Sequence, residues 1–145
     1  MNKVRIFSDG AARGNPGPSG VGVVIEVGAS KKNYREFIGY ATNNEAEYKA
    51  LIFALQKVKL IFGKAKSKNL NVECFLDSEL IVKQLNHEYK VLEENIQKFF
   101  LLLWNLSTDF KEVKYFHIPR AKNSEADRLA NMALDEATRA QSRMF

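Results

Sequence analysis

The sequence predicts a mixed α/β domain, a five-stranded sheet flanked by helices. Two observations predict it. Three apolar, β-branched runs follow one another before Thr42, the mark of an antiparallel meander. After Thr42 the apolar spacing changes to threes and fours, and helical stretches alternate with two further short strands, the pattern of βα units.

Lys3 to Ser8 reads as the first strand, ending on Asp9. A loop with four glycines and two prolines, Gly10 to Gly20, leads to the second strand, Gly20 to Val27. Gly28 to Asn33 is a turn region, and Tyr34 to Ala41 the third strand. From Asn44 to Phe62 the positions Tyr48, Leu51, Leu55, Val58 and Phe62 step by three and four, which is a helix stopped by Gly63. Lys64 to Lys68 reads as a basic linker, and Leu70 to Leu76 as the fourth strand. Ser78 to His87 is a short helix and Leu92 to Leu106 a longer one. The longer helix has Ile96, Phe99, Phe100, Leu103 and Leu106 on its apolar face, with Trp104 expected in the core. Val113 to Ile118 is the fifth strand, stopped by Pro119, and Ser124 to Ala137 is the last helix. Residues 1–145 read as one domain, and Thr138 to Phe145, without a clear pattern, is expected to fray.

Composition excludes several classes. Hydrophobic content of 46% and charged content of 27% are those of a globular protein in water. No apolar run approaches the ~20 residues of a membrane span. Met1 to Arg5 leads directly into a strand pattern, so no signal peptide is expected. A single cysteine, Cys74, excludes an internal disulfide and fits a reducing, cytoplasmic setting. Asn105-Leu106-Ser107 is read as a chance match to a glycosylation acceptor. The net charge of +5 is uneven: residues 1–68 hold 12 Lys and Arg against 5 Asp and Glu, whereas the rest holds 10 against 12. A basic first half suits a polyanion, and equally a solvated lysine surface.

Four carboxylates stand in costly places. Asp9 and Asp77 each end a strand pattern. Glu47 opens the long helix on its apolar side, with Leu51, Ala54 and Val58 at offsets of four, seven and eleven. Asp127 opens the last helix, with Ala130 and Leu134 three and seven residues on. Each has an ordinary alternative: a turn residue for Asp9, an N-cap for Asp77, and capping arrangements with Asn44 for Glu47 and with Ser124 for Asp127. Together they ask for another account. Acids gathered at one end of a sheet repel each other, and a divalent cation removes the conflict. An all-oxygen set suits Mg²⁺ or Mn²⁺, and two such ions about 4 Å apart would clamp a phosphodiester for attack by water.

In this order, Ser8-Asp9-Gly10, Gly14-Asn15-Pro16-Gly17-Pro18, Thr42-Asn43-Asn44-Glu45-Ala46-Glu47, Leu76-Asp77-Ser78 and Asn123-Ser124-Glu125-Ala126-Asp127-Arg128-Leu129-Ala130 resemble type 1 ribonuclease H. The likeness runs from about Lys3 to Leu134. It implies a ribonuclease H-like fold with strands one to three antiparallel, strands one, four and five parallel, and helices on both faces. It implies endonucleolytic, Mg²⁺-dependent cleavage of the RNA strand of an RNA–DNA hybrid, leaving 5′-phosphate and 3′-hydroxyl ends. Asp9, Glu47, Asp77 and Asp127 become the metal-binding and catalytic acids, and Asn15, Thr42, Asn43 and Asn44 contact substrate. Gly14 and Asn15 form the edge of the groove that meets the RNA. Double-stranded RNA as substrate, or a non-catalytic binding module of the same fold, stay open. A monomer is expected.

Two departures from the family pattern matter. The loop Pro119-Arg120-Ala121-Lys122-Asn123 has no His, and His117 falls within a strand, where it reads as structural. Arg120 is then the candidate for a phosphate contact, since an Arg cannot act as a base near neutral pH. The basic, Trp-rich insertion of some members is also missing: residues 78–112 carry four Lys against six acids. Weaker grip on the hybrid is expected, with Lys64, Lys66 and Lys68 as partial compensation.

Overall fold

The computed structural model describes residues 2–143. The chain runs β1 (Lys3–Ala12), β2 (Gly17–Val27), β3 (Ser30–Ala41), α1 (Asn43–Phe62), α2 (Lys64–Ser67), β4 (Asn71–Leu76), α3 (Glu79–Leu85), α4 (Glu94–Ser107), β5 (Glu112–His117), a 3-10 turn (Arg120–Asn123) and α5 (Ser124–Arg143). The sheet order is β3-β2-β1-β4-β5. β1, β2 and β3 pair antiparallel, while β1, β4 and β5 are parallel. This is the topology that the family likeness implies.

Glycines decide how closely the helices approach. Gly10 and its cross-strand neighbour Val21 face α1, where a Cβ on Gly10 would overlap the backbone of Ala46. Gly22, one step along β2, faces the other way, where a Cβ would overlap the carbonyl of Ala126 in α5. The sheet is thus covered by α1 on one face and α5 on the other. Val4, Ile6, Tyr48, Leu51, Leu55, Leu76 and Leu103 are fully buried between the sheet, α1 and α4.

Several elements differ from the sequence expectation. β1 does not stop at Ser8. It continues to Ala12 because Ala11 and Ala12 pair with Gly20 and Ser19, so Asp9 lies inside a strand, opposite Gly22. The long loop shrinks to residues 13–16, closed by the Arg13 N–H donating to the Pro18 carbonyl at 2.9 Å. Lys64 to Ser67 is a short helix, with the buried Ser67 hydroxyl donating to the Gly63 carbonyl at 2.6 Å. It starts beyond the C-terminus of α1, so about 23 Å of helix separates it from Glu47. Trp104 is 54% exposed: its neighbour Leu103 takes the inward position, and six consecutive apolar residues on one helix cannot all face α1. α5 continues past Ala137 to Arg143 with exposed side chains and the Thr138 hydroxyl donating back to Leu134, where fraying was expected. Of that expected tail, Met144 and Phe145 lie outside the described residues.

Candidate active site

The capping roles that the sequence left open go to other residues. Thr42 caps α1, its side chain accepting from the Glu45 N–H while Glu45 accepts from the Thr42 N–H. Ser78 caps α3, accepting from the Ile81 N–H at 3.3 Å. Glu47 and Asp77 are therefore free of that duty.

Glu47 turns inward against β1 and accepts the Gly10 N–H at 2.7 Å, a contact that the missing Gly10 side chain permits. Asp9 is 7% exposed and Glu47 8%. One carboxylate oxygen each from Asp9, Glu47 and Asp77 lie within 4.8 Å of one another. The parallel pairing of β1 with β4 brings Asp77 beside Asp9. Asp127, on the first turn of α5, joins the same open cleft of 510 Å³, together with Asn43, Asn44 and Arg120.

The electrostatics are those of crowded acids. Burial, followed by the charges of Glu47 and Asp77, pushes the Asp9 carboxyl far above the ordinary range. Burial also raises Glu47, opposed by its hydrogen bonds to Asp9 and to the Gly10 N–H. Among the described residues, none of the four acids forms an ion pair with a Lys or Arg. A crowded set of carboxylate oxygens with no basic partner is chemically suited to a hard divalent cation, and the residues present fit such an ion.

The other predicted residues sit around this centre. Thr42 is committed to its cap. Asn15 Oδ1 accepts from the Asn43 N–H at 3.0 Å, and Asn43 Oδ1 accepts from the Ala12 N–H at 3.3 Å. Gly14, with φ +108°, and Asn15 form the exposed turn beside the cleft. His117 ends β5 and is not among the residues lining the cleft. Sequence reasoning missed Asn131 and Ser78, both of which line it. Asn131 Nδ2 donates to the Asp127 carbonyl at 3.0 Å and reaches Oδ1 at 3.4 Å. Its position four residues after Asp127 was the available signal.

Comparison with known proteins gives the family. A family model described as reverse transcriptase-like matches residues 7–133. The crystal structure of ribonuclease H1 from Halobacterium salinarum superposes with a TM-score of 0.83 at 39% identity, covering 92% of this chain and 98% of that one. The chain belongs to the type 1 ribonuclease H family. A second ribonuclease H1, LC11, solved in complex with RNA/DNA hybrid, superposes with a TM-score of 0.87 at 41% identity, covering 93% and 99% of the two chains. A bifunctional protein of Mycobacterium tuberculosis is 40% identical over 93% of this chain, but the match spans only 36% of that protein. The chain thus covers about a third of the first curated relatives it resembles. None of the described helices is long and apolar enough to cross a membrane.

Proposed function

We propose that this chain is a single-domain, monomeric, cytoplasmic endoribonuclease that hydrolyses the RNA strand of RNA–DNA hybrids, leaving 5′-phosphate and 3′-hydroxyl ends. One observation carries the reading. Four carboxylates converge in one cleft with no Lys or Arg paired to them among the described residues, and burial pushes the two most buried, Asp9 and Glu47, above the ordinary carboxyl range. A binding surface has no use for that arrangement. The hybrid-bound LC11 relative supports the substrate class, and the buried, unpaired Cys74 suits a reducing compartment.

Asp9, Glu47, Asp77 and Asp127 would hold two Mg²⁺ ions, for which Mn²⁺ can substitute. Bound there, the ions would supply positive charge to the scissile phosphate and an activated water for in-line attack. The chain's own residues do the rest. Burial holds the Asp9 carboxyl protonated near neutral pH, so its service as an anionic ligand would release that proton. Gly10 presents its N–H to Glu47 and orients that carboxylate across the cleft. Asn131 orients Asp127 from one turn further along α5. Asn43 and Asn44 offer amides at the cleft wall, near the positive end of α1, to the backbone and 2′-hydroxyls of RNA. Asn15 is tied through its oxygen, so its amide N–H groups are the ones aimed at substrate. Arg120 is the cation of the cleft and contacts phosphate rather than moving a proton.

The test is cleavage of end-labelled RNA–DNA hybrid, double-stranded RNA and a duplex carrying a single ribonucleotide, with Mg²⁺, with Mn²⁺ and in EDTA. The expected result is hybrid cleavage that EDTA abolishes. No cleavage of hybrid with any divalent cation would overturn the enzyme reading. Preference for double-stranded RNA would correct the substrate.

A further inference from the structure

Asn123 is an odd residue to find where it is. It ends the 3-10 turn just before α5 and is 1% exposed. Its Nδ2 donates to the main-chain carbonyl of Ser8 at 2.8 Å, a bond between residues 115 apart in sequence. Its Oδ1 is buried without a partner, the one such side-chain atom among the described residues. A buried, unpaired acceptor opposes folding, and an apolar side chain of similar size would remove it. The bond that Asn123 donates is what the position gains in exchange.

That bond joins two particular places. Ser8 precedes Asp9 in β1, and Asn123 precedes Asp127 by four residues, about 6 Å of helix. Elsewhere α5 lies on β2 through small surfaces, the backbones of Gly20 and Gly22 against Ala126 and Ala130, backed by Leu129, Ala133 and Leu134. The other directional ties of α5, from Arg13 to Asp135, Asn33 to Glu125 and Arg35 to Glu136, are exposed to water and hold the axial position less firmly. A short directional hydrogen bond in a dry setting fixes the axial position.

We propose that Asn123 is a positioning residue: through Ser8 it sets the separation of Asp127 from Asp9, and so the geometry in which the four acids accept divalent cations. The proposal rests on the metal-site reading above. It does not depend on which nucleic acid is cut.

Asn123→Leu tests it, since Leu has similar volume and removes the donated bond and the unpaired oxygen together. Mg²⁺ and Mn²⁺ binding is measured by calorimetry without substrate, alongside thermal unfolding in EDTA and hybrid-cleavage kinetics. The expected result is metal affinity weakened about tenfold, kcat lowered to a similar degree and partly restored by raised Mg²⁺, and KM for hybrid within about twofold. The melting temperature in EDTA should stay within a few degrees of wild type. Unchanged metal affinity with a lowered melting temperature would make Asn123 merely structural and overturn the proposal. If Asn123→Leu does not fold, Asn123→Ser, small enough for the same space, is read by the same criteria. Failure of the wild type to cut hybrid while Asn123→Leu still weakens metal binding would sink the substrate reading and leave this one standing.

Discussion

Asp9→Asn should make the metal-free protein more stable while destroying its activity. The wild-type fold holds Asp9 protonated near neutral pH because burial and the neighbouring acids disfavour its charge. In the unfolded chain the same carboxyl ionises at its ordinary value of 3.8. At pH 7 folding must therefore restore a proton across roughly three pH units, at about 1.4 kcal/mol each, an upper bound of about 4 kcal/mol. Relaxation and water entering the open cleft reduce this to about 2–3 kcal/mol. Asn has the same shape and no proton to restore. For a domain of this size, about 3 °C per kcal/mol gives a rise in melting temperature of about 6–9 °C. A carboxyl whose folded pKa is raised does not penalise folding below the unfolded value, and the penalty grows as pH rises through that value toward the folded one. The gap between variant and wild type should be absent near pH 3.5 and open by pH 7. Circular dichroism melts in EDTA across that range read it directly. Mg²⁺ should then stabilise the wild type and act far less on the variant. An equal or lower melting temperature for Asp9→Asn in EDTA at pH 7, or a gap that persists in acid, would refute the account.

Gly22→Ala drives a methyl group into the Ala126 carbonyl, so it should cost about 1–3 kcal/mol and lower activity by displacing Asp127, checked by melts and by Mg²⁺ affinity. Arg120→Ala should lower hybrid cleavage only about 5–10-fold, against a loss of at least about 1000-fold for Asp9→Asn; equal losses in single-turnover assays would mean that Arg120 has another role. Replacing Lys64, Lys66 and Lys68 together by Ala should leave the salt dependence of hybrid binding unchanged, because α2 lies beyond the far end of α1. A slope lowered by about one per lysine, measured by fluorescence anisotropy, would place them on the phosphates.

Much of this was legible in the chain because it is written locally. Helical spacing marked α1, α4 and α5, and short apolar runs rich in β-branched or aromatic residues marked the five strands. Glu47 and Asp127 betrayed themselves as acids on apolar stripes, an expense visible without any tertiary information. The misreadings share one cause. Asp9 looked like a strand end because glycines and prolines follow it, but cross-strand pairing with Gly20 and Ser19 carries β1 on to Ala12. Trp104 looked like core because its whole neighbourhood is apolar, and only the packing of α4 on α1 chooses which residues turn inward.

By itself, then, the sequence determined the element types, their order and the identity of the four acids, since periodicity and misplaced polarity act over a few residues. Only the tertiary structure decided what those acids become. The parallel placement of β4 beside β1 brings Asp77 to Asp9, the absent side chain of Gly10 admits Glu47, and Gly22 together with Asn123 brings α5 and Asp127 to the cleft. The raised carboxyls of Asp9 and Glu47 follow from their burial there, because desolvation and like-charge repulsion depend on distances that no local stretch of chain specifies.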